Sequence, residues 1–114
     1  MLNAASPNHV DILFSQARAA QAGYAENGSQ ARYDSAAQAA AWAIMEPGRN
    51  KLLAELAVKS TGLGNVTDKI IKNHRKTLGL MRDIATAQTF GILLDDQTTG
   101  IIEIARPLGV IGAV

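Results

Sequence analysis

An uninterrupted apolar run at residues 108–114 limits the folds that this chain can adopt. The segment LGVIGAV contains no polar side chain. A strand without polar–apolar alternation is typical of a parallel sheet that is covered on both faces. Parallel neighbours need long crossover connections, and no parallel neighbour precedes this run. We therefore expect residues 108–114 to be the first strand of a larger α/β protein that continues beyond Val114.

Four helices are predicted before this run from apolar spacing and capping residues. Ser6 followed by Pro7 predicts the start of the first helix, with Pro7 at the first helical position. Asn27-Gly28 predicts its end, and the second helix follows Ser29. The small residues predicted on the inner face of the second helix would let another helix approach closely. That face comprises Tyr33, Ala37, Ala40, Ala41 and Ile44.

The third and fourth helices follow the break at Glu46-Pro47-Gly48. The third covers about residues 49–60 and is expected to bury Leu52, Leu53 and Leu56. Gly62 is a suitable left-handed residue for its C-terminus. The fourth helix covers about residues 66–87. Its predicted apolar face comprises Ile70, His74, Thr77, Leu78, Met81 and Ile84.

The hydrophobic period changes from helical to β-like near residue 88. Two β-like runs lie on either side of a polar loop at residues 95–99, which predicts a β-hairpin within residues 89–107. A two-stranded hairpin is only marginally stable in water. Its apolar residues are therefore expected to contact a partner surface. These residues are Phe90, Ile92, Leu94, Ile102 and Ile104.

Composition excludes several classes of function for these residues. The net charge of +1 and the aromatic content of 4% provide neither the field nor the stacking surface of a nucleic-acid-binding protein. The absence of cysteine excludes disulfides, thiolate metal sites and a cysteine nucleophile within the chain. Neither a secretory signal nor a membrane-spanning run is visible, so the expected location is the cytoplasm.

Four motifs have both a functional and a structural interpretation. GLGNVT at residues 62–67 approaches the dinucleotide fingerprint, but it follows a helix and lacks the last glycine, which favours a joint between two helices. The basic segment KIIKNHRK at residues 69–76 could contact nucleic acid or a membrane. The low net charge of the chain favours a solvated helix face instead. His74 has only His9 as a second histidine, which favours a core or interface role over a metal site. Asp95 and Asp96 are typical turn residues. We predict no catalytic residue and no metal ligand in the chain.

The second half of the chain resembles the aldehyde dehydrogenase superfamily, and within it the CoA-acylating branch. The segments that carry the resemblance are TGLGNVTDKIIKNH, TFGILLDD and GIIEIARPLGVIGAV. In that branch an Asp-Lys pair and a Lys-Asn pair lie on one helix, as Asp68-Lys69 and Lys72-Asn73 do here. A hairpin then leads through a Pro-aliphatic-Gly segment, here residues 107–109, into the first nucleotide-fold strand. The chain is most similar to sulfoacetaldehyde dehydrogenases, and aldehyde–alcohol and propanal dehydrogenases share much of the pattern.

The resemblance implies a division of the chain and a reaction. Residues 1–88 are the helical N-terminal segment of a cofactor-binding domain, residues 89–107 the hairpin of an oligomerisation region, and residues 108–114 the truncated first strand of the dinucleotide fold. The implied reaction uses NAD and CoA to convert an aldehyde into acyl-CoA, with the catalytic cysteine located later in such proteins. Val114 is the one position expected near the cofactor. The whole protein is expected to be a homo-oligomer that binds neither nucleic acid nor membrane, and this part alone is expected to be inactive. The alternative is a stand-alone helical interaction module that docks through its apolar C-terminal hairpin.

Overall fold

The computed structural model of the chain describes residues 8–113. Its four helices are α1 (His9–Glu26), α2 (Gln30–Met45), α3 (Pro47–Thr61) and α4 (Val66–Ile84), followed by strands β1 (Ile92–Asp96) and β2 (Ile101–Ile104). The strands pair antiparallel in a two-stranded sheet. The predicted order of four helices and a hairpin is therefore confirmed. Residues 30–88 form one compact unit, and the described residues 8–29 and 89–113 belong to a second.

Helix α1 begins at His9, two residues later than predicted. Its N-cap is Asn8, whose side chain accepts a hydrogen bond from the backbone N–H of Asp11 at 2.9 Å, while the Asp11 carboxylate accepts from the Asn8 N–H at 3.3 Å. This reciprocal capping box satisfies two backbone donors that have no partner within the helix. The predicted cap, Ser6, lies with Pro7 outside the described residues.

Helices α2, α3 and α4 pack against one another in the unit of residues 30–88. Ala41 of α2 is 7% exposed and Ala54 of α3 is fully buried. Small side chains at these positions let the helix backbones approach closely. The small-residue face predicted for α2 thus reaches the helix contact at Ala41, although Ala40 and Ile44 of the same predicted face are exposed.

Helix α3 packs through a different face from the one predicted. Its buried residues are Asn50 and Ala54, whereas Leu52, Leu53 and Leu56 are exposed, with Leu52 at 64%. The prediction that these leucines are buried within the chain is wrong. The helix contact uses small and polar side chains, and the larger apolar face lies on the outside.

The half-buried face of helix α4 differs from its predicted apolar face. The half-buried residues on one side of the helix are Val66, Lys69, Ile70, Asn73, Thr77 and Met81, whereas His74 and Leu78 are exposed. His74 was predicted to have a core or an interface role: its exposure contradicts the core role, and the interface role stays a prediction. The helix ends at Ile84 and not near Ala87, which instead makes a turn hydrogen bond from its N–H to the Ile84 carbonyl at 3.0 Å.

A β-bulge changes the faces of the hairpin. Ile92 pairs with Ile104, but Leu94 pairs with Glu103, so β1 has one more residue than β2 between these two pairs. Because side chains alternate between the faces of a strand, the extra residue moves Leu94 away from the face shared by Ile102 and Ile104. The exposure predicted for the hairpin's apolar residues is confirmed, but they do not share a single face.

Residues 108–113 form no strand in the structure. A strand needs a neighbour to receive its backbone hydrogen bonds, and none of the described residues pairs with this segment. None of the described helices combines the length and the apolar character needed to cross a membrane.

Candidate functional site

A buried polar cluster joins α3 to α4. The Asn50 side chain is 3% exposed, and its amide nitrogen donates to the Ile70 carbonyl at 3.0 Å. Its amide oxygen accepts from the Asn73 amide nitrogen, also at 3.0 Å. Both polar atoms of Asn50 are thus hydrogen-bonded, as burial requires. The cluster has no titratable or nucleophilic group, so its chemistry is structural.

The GLGNVT segment is a joint between two helices. Gly62 is the C-cap of α3 with φ of 66°, and its N–H donates to the Val58 carbonyl at 2.8 Å. Gly64 also has a positive φ of 71°, and Asn65 then caps α4 by accepting from the Asp68 N–H at 2.9 Å. A dinucleotide fingerprint instead turns a strand into a helix that points at phosphate. The described residues of this segment therefore do not fit a dinucleotide site.

The basic segment lies on the outer side of α4. Lys72, Arg75 and Lys76 are exposed and, with Asp68 and Ile71, line a shallow depression. All five residues belong to one helix, so no second element encloses a ligand there. This arrangement is typical of a solvated helix face.

Asp95 and Asp96 are the last two residues of β1, and Asp96 stabilises the turn that follows the strand. The Asp96 carboxylate accepts from the Thr99 hydroxyl at 2.6 Å and from the Thr98 N–H at 2.8 Å. The hydrogen bond from the Thr99 hydroxyl, followed by those from the backbone, lowers the pKa of Asp96. A general base or acid at neutral pH needs the opposite shift for a carboxyl group. The interpretation as a turn residue is supported for Asp96, whose side chain bonds to the turn. It is not supported for Asp95, which lies within β1 opposite Ile102, and the loop predicted at residues 95–99 begins at residue 97.

The remaining candidates do not form a site within the described residues. His74 is exposed on α4 and His9 lies at the start of α1. Among residues 8–113, no group of three or more histidine, cysteine, aspartate or glutamate side chains could hold a metal ion. Val114, the one expected cofactor-binding residue, lies outside the described residues.

Sequence reasoning missed the Asn50–Asn73 contact, although both residues carried a detectable signal. Asn73 belongs to the Lys72-Asn73 pair of the family resemblance, and it falls at helical spacing from Ile70 and Thr77. Asn50 shares helical spacing with Ala54 and Ala57. An asparagine within a stripe of small apolar residues could have indicated a hydrogen-bonded helix contact.

Comparison with known proteins shows relatives of one enzyme class. The chain is 54% identical to a sulfoacetaldehyde dehydrogenase (acylating) of Cupriavidus necator over 110 residues, which cover 96% of this chain and 22% of that protein. It is 39% identical to a protein of the same name from Bilophila wadsworthia over 75% of this chain. A bifunctional aldehyde-alcohol dehydrogenase of Escherichia coli is 42% identical over 52% of this chain. No protein-family profile and no solved structure matches the chain.

The chain is therefore homologous to a segment of acylating aldehyde dehydrogenases, which confirms the resemblance predicted from the sequence. Within that class, the relatives it matches over most of its length are sulfoacetaldehyde dehydrogenases. The chain spans about a fifth of the length of these relatives: 22% and 18%, respectively. The alternative of a stand-alone interaction module is not favoured, because the homology to an enzyme segment covers almost the whole chain.

Proposed function

We propose that this chain is the N-terminal part of an NAD-dependent, CoA-acylating aldehyde dehydrogenase. The observation that carries the proposal is the 54% identity to a sulfoacetaldehyde dehydrogenase (acylating) over 96% of the chain. In the complete enzyme, an aldehyde, CoA and NAD give acyl-CoA and NADH. The names of these relatives make sulfoacetaldehyde the first substrate to test, and a cytoplasmic location belongs to the same proposal.

The part played by this chain is architectural. The sequence contains no cysteine, so the thiolate that attacks the aldehyde must come from residues beyond this segment. The glycine motif at residues 62–67 does not fit a dinucleotide site, since the Gly62–Gly64 turn joins two helices. We therefore assign no chemical step to residues 8–113. Within the proposal, Val114 lies at the edge of the NAD site that later residues complete.

The exposed apolar surfaces support a role as one part of a larger protein. Leu52 and Leu56 of α3, and Ile102 and Ile104 of the hairpin, are exposed in the described chain. Leucine and isoleucine are among the residues most often buried in folded proteins. In the complete enzyme, residues 1–88 belong to the cofactor-binding domain, the 89–107 hairpin contributes to the contact between subunits of a homo-oligomer, and residues 108–114 pair as the first strand of the nucleotide-binding sheet.

A chimeric enzyme tests this function. Residues 1–114 replace the homologous segment of the Cupriavidus necator enzyme, and NADH formation is followed with sulfoacetaldehyde, CoA and NAD. We expect activity that depends on CoA and is comparable to that of the parent, because the catalytic residues are supplied by the parent. The matched control carries Ala54→Glu, which places a charge at a fully buried position and should abolish assembly. A chimera with the parental oligomeric state but without activity would contradict the proposal.

A further inference from the structure

The paired residues Asp68-Lys69 and Lys72-Asn73 remain unexplained by the proposed chemistry. In the structure, Asp68 and Lys69 lie at the joint between α3 and α4, and Asn73 contacts α3 itself. Asp68 accepts from the capping amide of Asn65 at 2.6 Å, and the Lys69 side chain lies 3.6 Å from where a Cβ on Gly64 would be. The Asn73 amide donates to Asn50. These three side chains therefore hold α3 and α4 together.

Asn50 is the buried polar residue among the described side chains, and its hydrogen bonds are directional. It contacts two positions on α4 that lie less than one turn apart, the Ile70 carbonyl and the Asn73 amide. No buried side-chain nitrogen or oxygen of the described residues lacks a partner. If α3 slid by one turn along α4, Asn50 would lose both contacts and remain buried, at the cost of desolvating an unpaired amide.

The remainder of the α3 contact lacks such directional features. Its packed residues include Ala54, fully buried, and Ala57, half-buried. Alanine side chains at successive positions present similar surfaces to the neighbouring helix. They therefore specify the axial position of α3 more weakly than interlocking large side chains would. A single buried asparagine is known to fix the register of helices in coiled coils.

We propose that the Asn50–Asn73–Ile70 contact sets the axial register of α3 on α4. The Lys72-Asn73 pair is then a positioning element of the helical unit and not part of a ligand site. The inference does not depend on the proposed enzyme activity, because it concerns the packing of residues 30–88 alone.

The first experiment compares the amide NMR spectra of the 1–114 chain and its Asn50→Leu variant. Leucine has the same number of side-chain heavy atoms and the same branching at Cγ but no hydrogen-bonding group, so helix content measured by circular dichroism should persist. We expect the amides of α3 and α4 to split into more than one set or to broaden. The matched control is Lys72→Leu, which introduces the same side chain at an exposed position of α4 and should retain one set of peaks.

A second measurement covers the case in which Asn50→Leu unfolds the chain. The unfolding constants of Asn50→Ala, Asn73→Ala and the double variant form a double-mutant cycle. We expect the two changes to be coupled about three- to tenfold, the range of one hydrogen bond. Additive effects, a single sharp set of peaks for Asn50→Leu, or several sets for the unaltered chain would each overturn the proposal.

Discussion

At the scale of single residues, side-chain acceptors define where the helices begin. Glu46 accepts from the N–H groups of Gly48 at 3.0 Å and Arg49 at 2.8 Å, and so caps α3 with both carboxylate oxygens. Asn8 and Asn65 serve the same purpose at α1 and α4. Each cap satisfies backbone donors that the first helical turn leaves without partners.

The cap at Glu46 predicts a pH dependence of stability. The backbone N–H of Arg49, followed by that of Gly48, lowers the pKa of Glu46 below its ordinary value of 4.5. A lowered folded-state pKa means that the carboxylate stabilises the folded chain fully above the ordinary value, and that this contribution is lost as the pH falls through the lowered pKa. We expect Glu46→Gln to lower the thermal midpoint at pH 7 and to have little effect under strongly acidic conditions.

The control for this prediction is another glutamate of the same helix. Glu55 lies 3.8 Å from Lys51 in an exposed ion pair, and such pairs contribute little to stability. Glu55→Gln should therefore change the midpoint at pH 7 less than Glu46→Gln. An equal loss for Glu46→Gln at neutral and strongly acidic pH would show that the charge of the cap is unimportant.

At the scale of elements, the joint between α3 and α4 depends on glycine conformation. Gly62 has φ of 66° and no atom within 4 Å of the position of an added Cβ, so Gly62→Ala should destabilise by about 1 kcal/mol through backbone strain alone. Gly79 lies within α4 and has equally open surroundings. Because alanine favours helix, Gly79→Ala should stabilise by about 1 kcal/mol. Urea unfolding of the two variants measures these free energies, and changes of the same sign would refute this account.

The sequence predicts the positions of the helices and strands better than it predicts which face of each helix is buried. Helix ends were predicted well where a local residue sets them, as Gly62 does for α3, because capping depends on adjacent atoms. The leucines of α3 show its hydrophobic face, but that face is exposed, and the buried face carries Asn50 and Ala54. Apolar spacing shows which face of a helix is hydrophobic, but it does not show which partner covers that face. Asn73 was missed for a related reason, since its partner Asn50 lies 23 residues away.

At the scale of the whole molecule, the described chain exposes large apolar side chains, as expected for one segment of a larger protein. Its fully or nearly buried apolar side chains are alanines, whereas the large apolar residues of α3 and of both strands are exposed. The sequence indicates a family but no active site, because the described residues supply helix contacts and a hairpin. The proposed chemistry requires residues that this segment lacks. The 108–113 segment likewise forms no strand without a neighbouring strand.

This surface predicts that the 1–114 chain associates with itself through the hairpin. The sheet described has two strands, so β2 is an edge strand, along which another copy can pair. Ile102→Lys should reduce the associated fraction in sedimentation velocity, because a lysine on an exposed strand opposes edge pairing and removes apolar contact area. Leu52→Lys provides the matched control, since Leu52 is more exposed than Ile102, 64% against 53%, but lies on a helix without free backbone groups. A smaller effect of Leu52→Lys would assign association to the hairpin, whereas an equal effect would assign it to exposed apolar area in general.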